Sequence, residues 1–326
     1  MIENKGIWTD LISGVGLEIA EVFDQGQEEY RPGFGNILKS ATMDVGQANY
    51  TGKTGVGELA RFDEGDDLPG GRRYKTYTTK VVPNDYGKFV EVTKQAIEDR
   101  DFAAELDEMK DLSIASNYSQ DASAMQLFNG GFATTIDVNG YRMTWYGDGE
   151  PLFSTVHSTV VPGGSTQSNA SSTGITFTGD NLEVGYIALV EQQTDDGLAL
   201  TLMGKPMLVL PPALLKEGQE VTQSDKESAT MNNAINVYKN GMVVDMAMSI
   251  HLSGATGIGG SNTAWFLTVP ERAKLEHVVR QAPRLESEVN IKNKVVTFTV
   301  DARWSDCAKD WRRTWGSKGD GAAYSS

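Results

Sequence analysis

The turn-rich stretch Gly65-Asp66-Asp67-Leu68-Pro69-Gly70-Gly71, together with the long run from Phe102 to Met125 that follows it, decides how this chain folds. Glycine tolerates left-handed backbone, proline presets φ and aspartate bonds its own backbone, so this density of the three favours tight turns. Strand-like segments flank it, Gly57 to Phe62 and the β-branched and aromatic run Tyr74 to Val82. The whole reads as a long hairpin-like tongue leaving the body. Behind it, apolar residues fall at Phe102, Leu106, Met109, Leu112, Ala115, Tyr118, Ala122 and Met125. Steps of three and four put them in one stripe on one face of a helix. About 28 residues at about 1.5 Å each give roughly 42 Å, more than the width of a small domain. The pattern fits a projecting arm on a rigid spine, and an ordinary surface hairpin beside a core helix would carry the same residues.

Upstream, Ile7, Trp8, Leu11, Ile12, Val15, Ile19, Val22 and Phe23 line one side of an N-terminal helix, with Glu18, Glu21 and Asp24 opposite and Gly14 and Gly16 weakening it. Residues 25–57, Gly-rich and aperiodic, are expected to be extended. Downstream, Asn139-Gly140 between Thr134 to Val138 and Tyr141 to Trp145 signals a hairpin. Pro162 to Gly174, nearly all Ser, Thr, Gly, Asn and Gln, reads as a low-complexity loop and a domain boundary. Asp180 is the expected N-cap of a helix over Asn181 to Gln193. Met207 to Leu210 reads as a buried strand, and Pro212 can open the next helix. Ile235 to Tyr238 and Met242 to Met248 flank Lys239-Asn240-Gly241 as a further hairpin, and Trp265 to Val269 adds a strand. Val289 to Ile291 and Val295 to Arg303 read as extended runs joined at Lys292-Asn293-Lys294, and the tail Trp311 to Ser326 is expected to fray at its end.

A chain of 326 residues, 39% of them hydrophobic, can bury a large core in one big or two modest domains. No run approaches the roughly 18 apolar residues of a membrane span. Met1-Ile2-Glu3-Asn4-Lys5 lacks the basic region and apolar core of a signal peptide, so a cytosol-like compartment and no membrane partner are expected. The net charge of −15, from 44 acidic and 29 basic residues, speaks against a sequence-reading nucleic-acid binder. The single cysteine, Cys307, cannot form an internal disulfide and reads as packing.

Enzyme motifs fail on spacing. His157, His251 and His277 have no partner at the i, i+4 interval of a helical zinc motif, and Gly46 to Thr54 has five residues between its glycines where a phosphate-binding loop needs four. Asp63-Glu64-Gly65-Asp66-Asp67 lacks the ligand register of a calcium loop, and no Gly-x-Ser-x-Gly elbow occurs. The expectation is no catalytic residue, no cofactor and no metal.

Four further landmarks follow the spine in order: Gly147-Asp148-Gly149-Glu150-Pro151-Leu152-Phe153-Ser154-Thr155-Val156-His157-Ser158, then Met207-Leu208-Val209-Leu210-Pro211-Pro212-Ala213-Leu214, Ala264-Trp265-Phe266-Leu267 and Phe298-Thr299-Val300-Asp301-Ala302-Arg303-Trp304. In order and spacing they resemble the major capsid proteins of tailed bacteriophages, especially the Mu-like head subunit group, over nearly the whole chain. The resemblance implies an α+β, Hong Kong 97-like capsid fold. Its parts would be an N-terminal arm over 1–56, an extended loop over 57–93, a peripheral domain over 94–178 with a spine helix at 101–129, and an axial domain over 179–285. Residues 286–326 would return to the peripheral domain and form the C-terminal tail.

That resemblance also implies a structural role: self-assembly into hexamers and pentamers of an icosahedral shell that encloses double-stranded DNA without sequence-specific binding. Its partners would be further copies of itself, a portal protein, a separate scaffold and a decoration protein. Its place would be the virion capsid, assembled in the host cytoplasm. An acidic lining would let packed duplex slide. Met1 opens directly on the arm, and if Met1 is the encoded start, scaffolding is expected to come from a separate protein or to be unnecessary. In the family the arm lies across a neighbouring subunit, although the same stripe would suit a helix packed on its own domain. The residues expected at inter-subunit contacts are Trp8, Leu11 and Ile12 in the arm and Phe62, Leu68, Arg72, Arg73 and Tyr74 in the tongue. No Lys–Asn cross-link is expected from Lys53, Lys75 or Lys80, since the matching asparagine and acid cannot be identified. An encapsulin-like nanocompartment would share the fold, and an enzyme with an unrecognised site is the alternative from a different class.

Overall fold

The computed structural model describes residues 4–64, 66–68, 70–99, 103–134, 137–138, 141–200, 204–226, 235–240, 245–290, 292 and 294–323, with side chains in all of these except 4–15, 137–138, 141–142, 237 and 240. The chain begins with α1 (Asn4–Glu29), which continues through Gly14 and Gly16. Its described apolar side chains explain why it persists: Ile19 and Phe23 are buried against Met109 and Leu112, and full burial of each such residue contributes about 1.5–3 kcal/mol. Residues 25–57, expected to be extended throughout, instead complete α1, form a 3-10 turn (Gly33–Asn36) and enter β1 (Lys39–Thr42) and β2 (Ala48–Lys53).

Next come β3 (Lys75–Val81), β4 (Asn84–Thr93), the short α2 (Lys94–Asp99) and the spine α3 (Ala103–Asn129). The spine's apolar stripe packs on α1 and on Val296, Phe298 and Val300. From Gln120 to Phe128 it is buried on every side. Gly26 lets α1 approach closely, because a Cβ there would lie 2.8 Å from the Ser113 Cβ and 2.9 Å from the Lys110 carbonyl oxygen.

β5 (Asp137–Val138) pairs antiparallel with β6 (Tyr141–Thr144); Asn139-Gly140 lies outside the described residues. Then follow α4 (Gly179–Val190), β7 (Met207–Leu210), a 3-10 turn opened by Pro212, α5 (Leu215–Gln223), α6 (Val237–Asn240) and β8 (Asp245–Met248). The cap of α4 is Thr178, whose hydroxyl accepts from the Asn181 N–H, and not Asp180, which sits inside the first turn. The expected hairpin around Lys239-Asn240-Gly241 is absent from the described residues: Val237–Asn240 is helical, and β8 pairs parallel with β7. Lys239 instead bonds Asp225, and Asn236 ties this turn to the end of α5 through the Val221 and Ser224 carbonyls.

The chain closes with β9 (Trp265–Thr268), β10 (Leu275–Asn290), β11 (Val295–Ala308) and β12 (Thr314–Ser317). Two sheets result. The larger runs β1-β10-β11-β6-β5, and β4 pairs with the first part of β11 while β6 pairs beyond it at Asp306 and Cys307. β11 explains itself: Val296, Phe298, Val300, Ala302 and Trp304 alternate inward, after which Ser305 to Ala308 are buried on both faces. The smaller sheet, β12-β9-β7-β8, is almost wholly apolar on β7 and β9 and closes around Trp265 and Trp315.

One expected boundary, 285/286, falls inside an element. β10 starts at Leu275 and crosses 285/286 without a break. β2 pairs with β3 across 56/57, whereas β4 belongs to the large sheet. The tail is core up to β12: Trp311 and Trp315 are buried and β12 pairs with β9, because aromatic groups of that size cannot be left in water cheaply. Residues 324–326 lie outside the described ones. The polar stretch 162–174 likewise carries a core residue, Asn169, which receives the Ser154 N–H and donates to the Leu152 carbonyl and the Thr314 hydroxyl.

The close approach at Gly26 gives a paired expectation. Gly26→Ala destabilises by about 1–3 kcal/mol through overpacking, whereas Gly16→Ala, with nothing within 4 Å of its Cβ, stabilises by up to about 1 kcal/mol through helix propensity. Denaturant titration of both variants reads the two opposite signs.

Candidate assembly surfaces

The tongue has a tied root and an exposed tip. At the root, β2 and β3 pair antiparallel, and the Thr51 and Thr78 hydroxyls bond each other at 2.6 Å. The Thr54 N–H donates to the Tyr74 carbonyl and the Tyr74 N–H returns to the Thr54 hydroxyl. Thr79 donates to the Tyr146 carbonyl, Thr144 to the Lys80 carbonyl, and Tyr77 meets Tyr146 edge to face. Gly147 makes this approach possible: its φ is +88°, and a Cβ there would come within 2.5 Å of the Thr78 oxygen. The limbs are still side by side at Val56 and Gly71, where an added Cβ would meet the Val56 Cβ at 2.8 Å.

Beyond that point the apolar side chains have nothing to pack on. Leu68 is 74% exposed and Phe62 53% exposed. Arg72 and Arg73 are exposed and Tyr74 is half-buried at the root. The five tongue residues expected at contacts therefore share one ribbon. Trp8, Leu11 and Ile12 lie on α1, in the part whose side chains are outside those described. The later half of the same helix packs on its own spine.

A seam of polar groups locks that packing. The Ser113 hydroxyl donates to the Phe23 carbonyl at 2.6 Å, Gln27 donates to Ser113, and Asn117 donates to the Gln27 and Tyr30 carbonyls. At its end, Asp121 accepts from the Tyr30 hydroxyl and the Phe34 N–H and lies 3.6 Å from His251, whose ring meets Tyr118 edge to face. Burial there raises the Tyr30 pKa and lowers that of His251, the nearby Asp121 carboxylate opposing the second shift. The other two histidines also serve as ties: His157 bonds Asp148 at 2.7 Å and stacks on Trp311, and His277 bonds Asp306 at 2.7 Å, whose other oxygen accepts from Ser123. Cys307 is buried, and burial raises its thiol pKa.

The sequence reading missed a polar cleft of about 620 Å³ between the ribbon root and the segments 194–200, 272–274 and 309–313. Buried Arg312 is its centre, bonded to Asp195 at 2.8 Å, to Asp310 at 3.2 Å and to the Gln193 carbonyl. Its signal was the dense run Lys309-Asp310-Trp311-Arg312-Arg313, which reads as tail unless Trp311 is known to be core.

Residues 76–315 match the model of a family described as phage capsid protein. No curated protein sequence matches the chain. Among solved structures, the mature capsid of bacteriophage PhiM1 is similar at 11% identity, with 89% of this chain and 87% of that one covered and a TM-score of 0.54. The capsid of cyanophage P-SCSP1u is similar at 13% identity, with 88% of each chain covered and a TM-score of 0.53. A bacteriophage JBD30 capsid, decorated with minor capsid protein trimers, is similar at 14% identity over 68% of this chain and 90% of that one, with a TM-score of 0.50. At such identities the shared property is the fold.

Two outcomes are expected from the ties. Because the native His251 pKa lies below the ordinary 6.5, the unfolded chain binds the proton first, so stability is full above about pH 6.5 and falls as pH drops through the native value. Denaturation midpoints at stepped pH should show that decline, and His251→Gln should flatten it. Arg312→Ala leaves two carboxylates without their shared cation, one of them buried; it should cost about 3–5 kcal/mol in thermal or denaturant unfolding.

Proposed function

This chain belongs to the phage capsid protein family, and from that premise we propose that it forms the hexamers and pentamers of an icosahedral head enclosing double-stranded DNA. The family match over 76–315, which spans the second strand of the ribbon, the spine and most of both sheets, is the observation that carries this reading. The fold is the Hong Kong 97-like fold of tailed-phage capsids, and the chain is a major capsid protein of that kind. Its work is assembly and not catalysis. Identical subunits in rings of five and six meet at differing angles, so each needs a stiff body and a compliant contact. The α1–α3–β11 layer supplies the first, and the exposed tongue tip with Phe62, Leu68, Arg72 and Arg73 supplies the second. Tyr74 sets the tip's root, and Trp8, Leu11 and Ile12 are the contacts we assign to the arm.

The domain assignment we favour keeps the arm, extended loop, peripheral and axial parts, with the loop running from β2 to β3 and the axial part including β12. Besides its own copies, the partners we assign are a portal protein, a separate scaffold and, as on the JBD30 capsid, a decoration protein. Assembly takes place in the host cytoplasm and the product resides in the virion. A cargo-enclosing nanocompartment is disfavoured by the phage capsid family match.

Expression of the chain alone and with its genomic neighbours, followed by electron microscopy and light scattering, tests this. Closed shells or capsomer rings are expected, and a monomer that persists with every neighbour present overturns the reading. Replacing residues 58–70 by a short Gly-Ser turn should change unfolding free energy by no more than about 0.5 kcal/mol, as for surface changes generally. The same variant should abolish closed shells in the micrographs.

A further inference from the structure

The imidazole of His251 sits where three segments far apart in sequence meet. Its side chain is 2% exposed. Nε2 lies 3.4 Å from the hydroxyl of Tyr30, one residue beyond α1, and 3.6 Å from Asp121 of the spine. The ring meets Tyr118 edge to face, with centroids 4.5 Å apart. The third segment is its own: the 3-10 turn Ile250–Leu252 opens a glycine-rich loop that runs to Thr263. That loop is folded hard against the turn, since a Cβ at Gly257 would lie 2.0 Å from the His251 carbonyl oxygen. The same oxygen accepts from Asn129 of the spine at 2.8 Å. Among the described residues, the titratable or charged groups facing the ring are Asp121 and Tyr118 of the spine and Tyr30 of the arm. Residues 249–263 carry no other titratable side chain.

The neutral cluster is fully bonded at Nε2. Tyr30 has a single hydroxyl proton, and Asp121 Oδ2 accepts it at 3.1 Å, so the hydroxyl oxygen is left to accept from His251 Nε2–H. Asp121 Oδ1 already takes the Phe34 N–H. A second proton on His251 goes to Nδ1, which has no hydrogen-bond partner among the described residues. An imidazolium so enclosed must reach water for that proton, and the one anion beside it stands at 3.6 Å with both oxygens engaged. Burial accordingly lowers the His251 pKa, and Asp121 opposes the shift without cancelling it. The segments the ring joins have little else to hold them. From Ile250 to Asn262 the described backbone bonds close within the loop, which is tied to the spine through Gln126 and Asn129. The arm end is tied through Asn117, which donates to the Gln27 and Tyr30 carbonyls. Segments held by a few side-chain bonds open at lower cost than strands in a ladder.

We propose that His251 is an acid-operated clasp: protonation drives its ring out and releases the arm end around Tyr30 and the loop 250–263 together, while both sheets stay closed. This is more than a loss of stability at low pH, because it names the part that opens and leaves the remainder folded. The neutral form fastens the arm end to its own spine; the charged form frees it. One proton thus controls two segments that lie 221 residues apart in the chain. The device belongs to the single subunit and does not depend on self-assembly, so its failure leaves the capsid reading intact.

Hydrogen exchange read by mass spectrometry on the full-length, unassembled chain tests this, stepped from about pH 7.5 down to about pH 5, the range in which histidine titrates. Protection, corrected for the intrinsic pH dependence of exchange, should fall in peptides over 24–31 and 250–263. The fall should begin near the ordinary value of 6.5 and run at up to about tenfold per pH unit until the native value is reached. Peptides of β7, β9 and β11 should keep their protection throughout. His251→Gln should abolish the slope. Asp121→Asn removes the opposing charge and should carry the fall to lower pH. Tyr30→Phe should lower protection by one factor at every pH and keep the slope, because the proton lands on His251. Circular dichroism identifies any variant that has not folded, and the other two then decide. Protection that stays flat across the range overturns the proposal. A slope shared by β7, β9 and β11 assigns the effect to unfolding of the whole chain, and a slope that survives His251→Gln assigns it to another group; either result overturns it as well.

Discussion

The burial of the spine helix along its C-terminal half is the constraint on which the rest of this structure depends. A helix buried on one face needs apolar residues there; one buried all round must also satisfy every polar side chain it carries. Between Ser113 and Asn129 most of the spine's buried polar side chains reach other segments of the chain, and the Gln126 Oε1 is left without a protein partner. Ser113 and Asn117 take carbonyls of α1, Asp121 takes the Phe34 N–H within the 3-10 turn, and Ser123 takes Asp306 of β11. Gln126 and Asn129 both reach the Ile258 carbonyl in the loop before β9. Each bond fixes the register of a segment distant in sequence, so the helix positions the body of the molecule through a short list of specific contacts.

Rigidity of that body and freedom of the tongue are two consequences of one distribution of apolar area. Aromatic groups concentrate where the two sheets meet the spine: Phe128, Phe153 and Phe266 lie within ring contact of one another, and Trp304, Trp311 and Trp315 are buried. The ribbon root is held by hydroxyl-to-backbone bonds and the close approach at Gly147. Past Val56 and Gly71 the described residues of the tongue make no hydrogen bond to the body, and Leu59, Phe62 and Leu68 are exposed. Its exposed leucines and acids are then available to a neighbour, and the angle between tip and body can differ from one site of a shell to the next. The local concentration of cations at the root adds polarity to this arrangement, because a strongly acidic surface makes one basic cleft distinctive.

Much of the framework was legible before any coordinates. The spine's stripe, the turn chemistry of the tongue and the apolar run Met207 to Leu210 are short-range patterns, and short-range patterns survive in a single sequence because the physics that produces them is local. Where the reading slipped, the deciding contact was distant. Residues 25–36 looked extended because Gly26 has poor helix propensity, yet that same glycine is what admits α3. Asn169 looked like linker because its neighbours are Ser and Gln, yet its amide joins Leu152 and Thr314.

The sequence by itself determined most of the element types, the turn-rich tongue, the absence of a recognisable catalytic pattern and, through ordered landmarks, the family. These follow from local backbone preferences and from the spacing of apolar residues. Only the tertiary structure decided that α1 lies on its own spine, that each of the three histidines is tied to an aspartate, and that Lys53, Arg272, Lys274, Lys309, Arg312 and Arg313 share one cleft. Those groupings join positions up to about 260 residues apart. No local preference encodes such a meeting, because it is set by which buried polar groups must find partners once the chain has closed around its spine.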